Sequence, residues 1–375
     1  MCTLFFRQTF NIFACINLND VIVTEEIEIT EIQNSKLPNI DFSNLPFGKV
    51  FSDHMFTALY KDGHWSELKI TPFGKLEFSP AFITLHYGQA IFEGMKAYRN
   101  DASEVILFRP EENSRRFNRS AERLCMPEVP EALFVEAVRK LVSLDHDWVP
   151  TTEQGSLYIR PHMFATDEFV GVHPSTEYMF CIFTCPSGPY FSRPVKVKIE
   201  TEFTRAAAGG IGFSKAAANY AGALYPTKIA IDEGFDQVIW TDGAEHKYIE
   251  EAGTMNVFFR IGDELVTPLL GDTILDGITR KSVIQVAADL NIPVKQRRVS
   301  IVEIIEASIA GTLLEAFGSG TAATLSSIAE IGFEGKRYVL PSTIEARSYS
   351  HAISTTLDKI KSGKIADTHH WIVKV

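Results

Sequence analysis

In the twenty-one residues Ala206–Pro226, AAAGGIGFSKAAANYAGALYP, Lys215 is the only charged side chain. At the chain-wide charged fraction, about four to five would be expected. A lysine flanked by Gly, Ser and Ala, with no carboxylate near it in sequence, is open to desolvation without a salt bridge. Desolvation pushes an ammonium toward its neutral, nucleophilic form, and such an amine suits Schiff-base chemistry. The competing reading is a surface lysine on a flexible glycine loop. A phosphate loop fits less well, because Gly209, Gly210 and Gly212 match neither G-x-G-x-x-G nor a Walker pattern.

A second segment, Tyr248–Phe259 (YIEEAGTMNVFF), sets Glu250 and Glu251 just before an apolar strand. One of the two is expected to point inward. Glu251 is the candidate, since a pyridinium nitrogen needs a carboxylate to keep it protonated; a solvated turn at the strand entry is the plainer alternative. Gly277–Arg280 leads into a helix whose N-terminus suits an anion, although Thr279 serves equally as a simple N-cap. Gly318–Ala323 (GSGTAA) offers a glycine turn whose N–H groups suit phosphate or carboxylate oxygens, or is just a tight turn. Arg115, Arg116 and Arg119 share one helix, Arg160 ends a strand, and aromatics gather at Phe47, Tyr87, Phe92, Tyr158 and Tyr190. Singly these are core and surface residues. Taken together, they form an inventory for holding an amine-reactive, phosphorylated cofactor.

The elements that must position these groups read as an α/β (α+β) fold. In the first half, strand-like runs at Val50–Met55, Val105–Phe108, Leu157–Arg160 and Tyr178–Thr184 alternate with helical periodicity at Glu111–Leu124 and Glu131–His146. Pro186–Pro194 (PSGPYFSRP) is the strongest linker. The resulting division is an N-terminal extension over 1–35, poorly ordered; a smaller α/β domain over 36–187; an interdomain loop over 188–198; and a larger domain over 199–375 that binds the cofactor. Within the second half, strands are predicted at Val195–Phe203, Gln237–Thr241, Met255–Ile261, Glu264–Thr267, Val294–Val299 and Leu313–Gly318. Helices are predicted near Tyr220–Glu233 and at Thr279–Leu290, Ile301–Ala307 and Pro341–Lys361. A cleft between the two layers is where a ligand is expected.

Composition narrows the function classes. The 375 residues are 45% hydrophobic and 22% charged, which is ordinary globular usage and excludes disorder, collagen and coiled coil. With 36 Lys+Arg against 47 Asp+Glu the formal net charge is -11, which disfavours nucleic acid and anionic membranes. No run approaches the roughly 18 apolar residues of a membrane span. The five cysteines (Cys2, Cys15, Cys125, Cys181, Cys185) form no CxxC or CxxH pair, which argues against a disulfide framework or a metal site and for a reducing compartment. Met1–Asn17 is weakly amphipathic without an A-x-A site, so a secretory signal is not expected.

From about Phe47 to Ile360 the sequence resembles the branched-chain amino-acid aminotransferases, a family of fold-type IV pyridoxal-phosphate enzymes. The motifs that carry the likeness are PFGKVFSDHM, LHYGQAIFEGMKAYR, FRPEENSRRFNRSAERLCMP, DWVP, GSLYIRP, CPSGPYF, GGIGFSKAAANYAG, EEAGTMNVFF, LDGITRKSV and FGSGTAA. FEGMKAYR and GSLYIRP together separate it from the aminodeoxychorismate lyases and D-amino-acid aminotransferases, which share the fold. The resemblance implies a two-domain fold with pyridoxal 5'-phosphate in the interdomain cleft. The implied reaction is a ping-pong exchange of amino groups between leucine, isoleucine or valine and 2-oxoglutarate, by a cytoplasmic homodimer serving branched-chain amino-acid synthesis.

By the same resemblance Lys215 bonds the cofactor aldehyde and shuttles the substrate proton. Tyr220 faces the phenolic oxygen, Glu251 the ring nitrogen, and Thr254 the ring region. Arg116, Ile278, Thr279 and Thr321 hold the phosphate, and the N–H groups of Thr321 and Ala322 take the substrate α-carboxylate. Phe47, Phe92, Tyr158, Tyr190 and, from the neighbouring subunit, Tyr87 wall the apolar pocket. Arg160 lies where the family handles the second carboxylate of glutamate. Two departures stand out: Ala323 and Ser326 occupy the positions of a mammalian CxxC redox pair, and Ala216–Ala218 replace a common Leu-Gly-Gly. Thiol control is therefore not expected.

Overall fold

The computed structural model describes residues 26–188, 193–322, 324–343 and 347–375, which are organised around two sheets. The first contains β1 (Glu28–Ile29), β2 (His54–Lys61), β3 (His64–Pro72), β4 (Ala90–Phe92), β5 (Met95–Arg99), β6 (Val105–Phe108), β7 (Ser156–Ala165) and β8 (Tyr178–Ser187). Its order is β1-β3-β2-β8-β7-β5-β6, with β4 against the far end of β7. The run predicted at Val50–Met55 becomes a longer strand that starts at His54. Asp62-Gly63, with φ of 52° and 83°, closes the β2–β3 hairpin. Both residues of this short turn sit at positive φ, which Asp-Gly tolerates and which matches the twist of the flanking strands.

The second sheet contains β9 (Val195–Ile199), β10 (Gln237–Thr241), β11 (Ile249–Ala252), β12 (Met255–Ile261), β13 (Glu264–Thr267), β14 (Val294–Gln296), β15 (Leu313–Gly320), β16 (Thr324–Phe333) and β17 (Lys336–Val339). The path β11-β10-β9-β16-β15-β12 ends on a strand that also pairs with β11, so these strands form a closed ring. Closure removes exposed strand edges. Val197, Ile239, Val257, Phe259 and Ile331 pack in one core cluster of this half. The last strand, β18 (Ile372–Lys374), returns to the first sheet and pairs with β6.

Helices α1 (Ile83–Tyr87), α2 (Pro110–Arg123) and α3 (Glu131–Leu144) belong to the first half. Pro110 opens α2, Glu111 and Glu112 occupy its first turn and Arg123 its last, an arrangement that complements the helix dipole. Its inner face buries Phe117, 5.6 Å from the ring of Phe134 and 5.5 Å from Phe180. Burying such a ring contributes roughly 1.5–3 kcal/mol. The second half carries α4 (Ala217–Gly222), α5 (Leu224–Asp232), α6 (Ile278–Asp289), α7 (Ile301–Ile309) and α8 (Ser348–Lys361). The single helix predicted near Tyr220–Glu233 is broken at Ala223, because Pro226 has no N–H to offer the Gly222 carbonyl. The helix predicted from Pro341 begins at Ser348.

Order starts earlier than residue 36. Glu28 and Ile29 pair with Lys69 and Ile70, and Ser35 Oγ donates to Asp53 at 2.5 Å. Residues 1–25 lie outside the described residues. Strand β9 begins at Val195, inside the span read as a loop over 188–198, and stops at Ile199 rather than Phe203. Because β18 joins the first sheet, a cut at residue 199 does not separate the two sheets cleanly in sequence. Among the described residues no helix is long and apolar enough to cross a membrane, and no group of three or more His, Cys, Asp or Glu is placed to hold a metal ion.

Candidate active site

Lys215 sits between the two halves, tied to the first by its own backbone. Its N–H donates to Ser120 Oγ at 2.9 Å, its carbonyl accepts from Phe92 N–H at 3.0 Å, and Ala216 bridges Ile91 of β4. The side chain enters a cavity of about 700 Å³ whose walls come from both sheets. Its Nζ donates to the Tyr220 hydroxyl at 2.9 Å and lies 4.5 Å from the centre of the Phe92 ring. Among the described residues no carboxylate makes a salt bridge to it. Isolation in sequence is not isolation in space, however. Glu93 and Glu251 both feel its charge, and each carboxylate has an arginine of its own.

Glu251 comes from β11, and its carboxylate faces the cavity. Its Oε2 is 3.2 Å from Arg205 Nε, and its Oε1 accepts the Leu275 N–H at 2.7 Å. Burial raises its pKa, and Arg205 and the Leu275 N–H oppose the rise without cancelling it. Glu250 is also buried, but it points away from the cavity to Thr273, whose hydroxyl donates to it at 2.5 Å. The pair is therefore not split into an inward and a solvated residue. The tight turn that follows, Gly253-Thr254, brings Thr254 to the cavity mouth and needs glycine at φ 59°.

The two anion turns meet on the same wall. Gly277, not Thr279, is the residue that precedes α6; Ile278 and Thr279 occupy the first turn, so their N–H groups face the cavity region. A Cβ at Gly277 would come within 2.0 Å of Asn256 Oδ1, which explains the glycine. At the β15–β16 turn, Thr321 and Ala322 line the cavity, and Gly318 lies against the Met255 side chain, which a Cβ there would have to displace. Lys96 Nζ donates to the Ala322 carbonyl at 3.0 Å.

Of the four arginines on α2, Arg116 alone lines the cavity among the described residues. Arg115 pairs with Glu112 and Glu131 at the surface, and Arg119 with Asp276. Arg116 is locked by Glu93, with Nε at 2.7 Å and Nη2 at 2.9 Å from the two carboxylate oxygens, while Nη1 reaches the Asp276 carbonyl at 3.2 Å. Five N–H donors leave some free to meet an anion. Burial opposes the charge on Glu93, but Arg116 overrides it and holds the carboxyl below its ordinary range.

The far wall is aromatic. Phe47 meets Tyr158 edge-on at 5.0 Å, and the Arg160 guanidinium lies 4.7 Å over Phe92 while its Nη2 donates to the Tyr158 hydroxyl at 2.9 Å. Phe47, Phe92, Tyr158 and Arg160 all line the cavity. Tyr87 does not; it is 44% exposed at the end of α1, with its hydroxyl donating to the Val170 carbonyl at 2.6 Å. Tyr190 and Ala323 lie outside the described residues.

Glu93, Arg205 and Ser120 are absent from the sequence-based inventory, and Ser319 enters it only as part of the GSGTAA turn. Arg205 stands one residue before the charge-poor window, and Glu93 sits inside the FEGMKAYR motif, so both were in view without a partner to give them meaning. Ser319 Oγ is buried on the cavity wall with no hydrogen-bond partner among the described residues. Cys181 and Cys185 are buried thiols, pushed up to about 12 and about 11 by that burial. At neutral pH they are not thiolates.

The chain is similar to known proteins in sequence and fold. The family model for class IV amino-transferases matches residues 90–331. The branched-chain-amino-acid aminotransferase 2 of Bacillus subtilis (strain 168) is 42% identical over 357 residues, covering 94% of this chain and 98% of that protein. A probable branched-chain-amino-acid aminotransferase of Staphylococcus epidermidis is 45% identical over 340 residues, 89% of this chain and 94% of its own. Among solved structures, the branched-chain aminotransferase of Thermoproteus uzoniensis with norvaline superposes with a TM-score of 0.70 at 26% identity, covering 86% of this chain and 99% of that one.

Proposed function

The chain belongs to the class IV amino-transferase family, and on that premise we propose that it is a branched-chain amino-acid aminotransferase whose working amine is Lys215. It moves the amino group reversibly between leucine, isoleucine or valine and 2-oxoglutarate, with pyridoxal 5'-phosphate as cofactor.

The donor set fits that cofactor. A free amine suits its aldehyde, the Tyr220 hydroxyl its phenolic oxygen, the Glu251 carboxylate its ring nitrogen, and Arg116 with the turns at Ile278–Thr279 and Thr321 its phosphate. The orphaned Ser319 hydroxyl on the same wall is a further polar group awaiting a partner. When bound, pyridoxal phosphate supplies an aldehyde and an electron sink. Lys215 Nζ would be the base that takes the proton from the substrate Cα and holds it beside the cofactor. Tyr220, 2.9 Å from that nitrogen, orients it. Glu251 keeps a positive ring nitrogen favourable, and Thr321 and Ala322 present N–H groups to the substrate α-carboxylate. The aromatic wall of Phe47, Phe92 and Tyr158 rewards an aliphatic side chain, and Arg160, which has no carboxylate partner among the described residues, receives the second carboxylate of glutamate.

We propose also that the active form is a cytoplasmic homodimer. Leu85, Tyr87, Val170 and Val172 are exposed apolar residues, with the Tyr87 hydroxyl donating to the Val170 carbonyl, and in the dimer Tyr87 faces the partner's pocket. Thr254 lines the same cavity.

The single observation that carries the activity is the Lys215 amine, unclaimed by any salt bridge among the described residues and facing a cavity that also holds Glu251. The test follows turnover of the purified, cofactor-loaded protein with leucine and 2-oxoglutarate, beside Lys215→Ala. Borohydride reduction and peptide mapping are expected to place the pyridoxyl adduct on Lys215. Wild-type turnover in the variant, or an adduct elsewhere, overturns the assignment.

A further inference from the structure

One polar side chain on the pocket wall has no place in the account above. His162 follows Arg160 by two residues in β7, so both project from the same face of the strand, and both line the cavity. The register sets His162 opposite Phe92 of β4, whose ring already carries the Arg160 guanidinium at 4.7 Å. Its own ring stacks on Phe164 at 5.6 Å and meets Phe183 edge-on at 5.5 Å, so the imidazole is held in place from two sides.

The hydrogen-bond inventory of this corner is incomplete. His162 Nδ1 and Arg160 Nε are both buried without a well-formed hydrogen bond among the described residues, and only the backbone at Arg160 and Cys181 lies close enough to the imidazole to favour its charge. Buried polar atoms are seldom left so unless a ligand or water completes them. An aliphatic side chain entering the pocket cannot satisfy either group. A carboxylate, which only accepts, can take the Arg160 N–H groups together with the one N–H of the neutral imidazole in the tautomer that directs it into the cavity. Burial, and then the Arg160 charge, push the His162 pKa down to about 4, so at neutral pH the imidazole brings a donor without adding a second positive charge that leucine would have to tolerate.

We infer that His162 is a specificity-determining residue that donates, beside Arg160, to the distal carboxylate of glutamate and 2-oxoglutarate, and so sets the balance between dicarboxylate and branched aliphatic substrates. This rests on the reading of the cavity as an aminotransferase pocket. A neutral donor next to a fixed cation favours the acid without closing the pocket to leucine, which finds the same imidazole as an aromatic face between Phe164 and Phe183.

The test compares His162→Phe, which keeps the ring and loses both nitrogens, with His162→Gln, which keeps a donor. The two half-reactions are followed separately in single turnovers of the cofactor-loaded enzyme, one with leucine and one with glutamate. Binding of glutarate and of 4-methylpentanoate, which do not react, is measured alongside by calorimetry. His162→Phe is expected to lower the glutamate half-reaction and glutarate affinity about ten-fold or more, while leucine and 4-methylpentanoate change less than about three-fold. His162→Gln is expected to recover most of the loss. Equal losses for both substrate classes in both variants, or no change in either, overturn the inference. Failure of the aminotransferase reading itself looks different: the wild-type protein then carries out neither half-reaction.

Discussion

Arg205 Nε lies 3.2 Å from Glu251 Oε2, and the two side chains are 9% and 5% exposed. They form a buried ion pair at the point where a cofactor ring nitrogen is expected. Truncating the arginine leaves a buried carboxylate with no counter-charge, which costs about 3–5 kcal/mol or drives the group to take up a proton. Arg205→Met is therefore expected to weaken pyridoxal phosphate binding and lower kcat, with Arg205→Lys in between. Equilibrium dialysis of the cofactor and steady-state rates check this; a variant with native affinity and rate would show that the pair is only structural.

Glu250 gives a pH signature in the unloaded protein. Its pKa is raised by burial, and one of its oxygens has no partner. The folded state then binds the proton more tightly than the unfolded chain does, so this residue's contribution is most favourable near and below the ordinary value of 4.5 and is lost as pH rises through the raised folded value. Glu250→Gln removes that loss. Urea unfolding is expected to show the variant gaining stability over wild type as pH goes from about 4.5 to neutrality, and a gain independent of pH counts against the assignment.

Glu93 carries the opposite sign. Arg116 holds its carboxyl below the ordinary range against the pull of burial, so the stability it adds is present above the unfolded value of 4.5 and disappears as pH falls through the folded one. At neutral pH, Glu93→Ala should cost about 3–5 kcal/mol by stranding Arg116. The gap between variant and wild type should shrink on acidification. A pH-independent gap in denaturant midpoints would mean that packing, not charge, is what Glu93 supplies.

The apolar surface around Tyr87 predicts an oligomer. Val172 is 85% exposed and Val170 67% exposed, next to the Tyr87 hydroxyl that binds the Val170 carbonyl. Val172→Asp places a charge in the proposed interface and is expected to convert the protein to monomers in sedimentation, with loss of activity at low protein concentration. Unchanged sedimentation would move the interface elsewhere.

Much of the site is legible in the chain itself. Lys215 stands out because charge is scarce around it, and Glu251 because it precedes an apolar strand. The anion turns declare themselves through glycine, and α2 and α3 through apolar residues three and four apart. The missed strands are those whose signal is short or mixed. Phe92 to Arg99 reads as one motif, yet the chain splits it into β4 and β5 around Glu93 and Gly94, and Gly94 leaves no room for a Cβ beside the Tyr158 hydroxyl. The hairpin at Asp62-Gly63 carries a local turn signal that the reading of Val50–Met55 as a strand left unused.

The sequence by itself determined which chemistries are available: an uncrowded amine, a carboxylate at a strand, N–H-rich turns and an aromatic wall, all set by residue type and short-range spacing. Only the tertiary structure decided who pairs with whom. Glu93 meets Arg116 across 23 positions and Arg205 meets Glu251 across 46, while β9 meets the distant β16 within the ring and β18 returns to β6. Periodicity and turn chemistry act over a few residues and specify elements. The pairing of distant charges depends on which faces those elements bury together, and that is fixed only when the two halves pack.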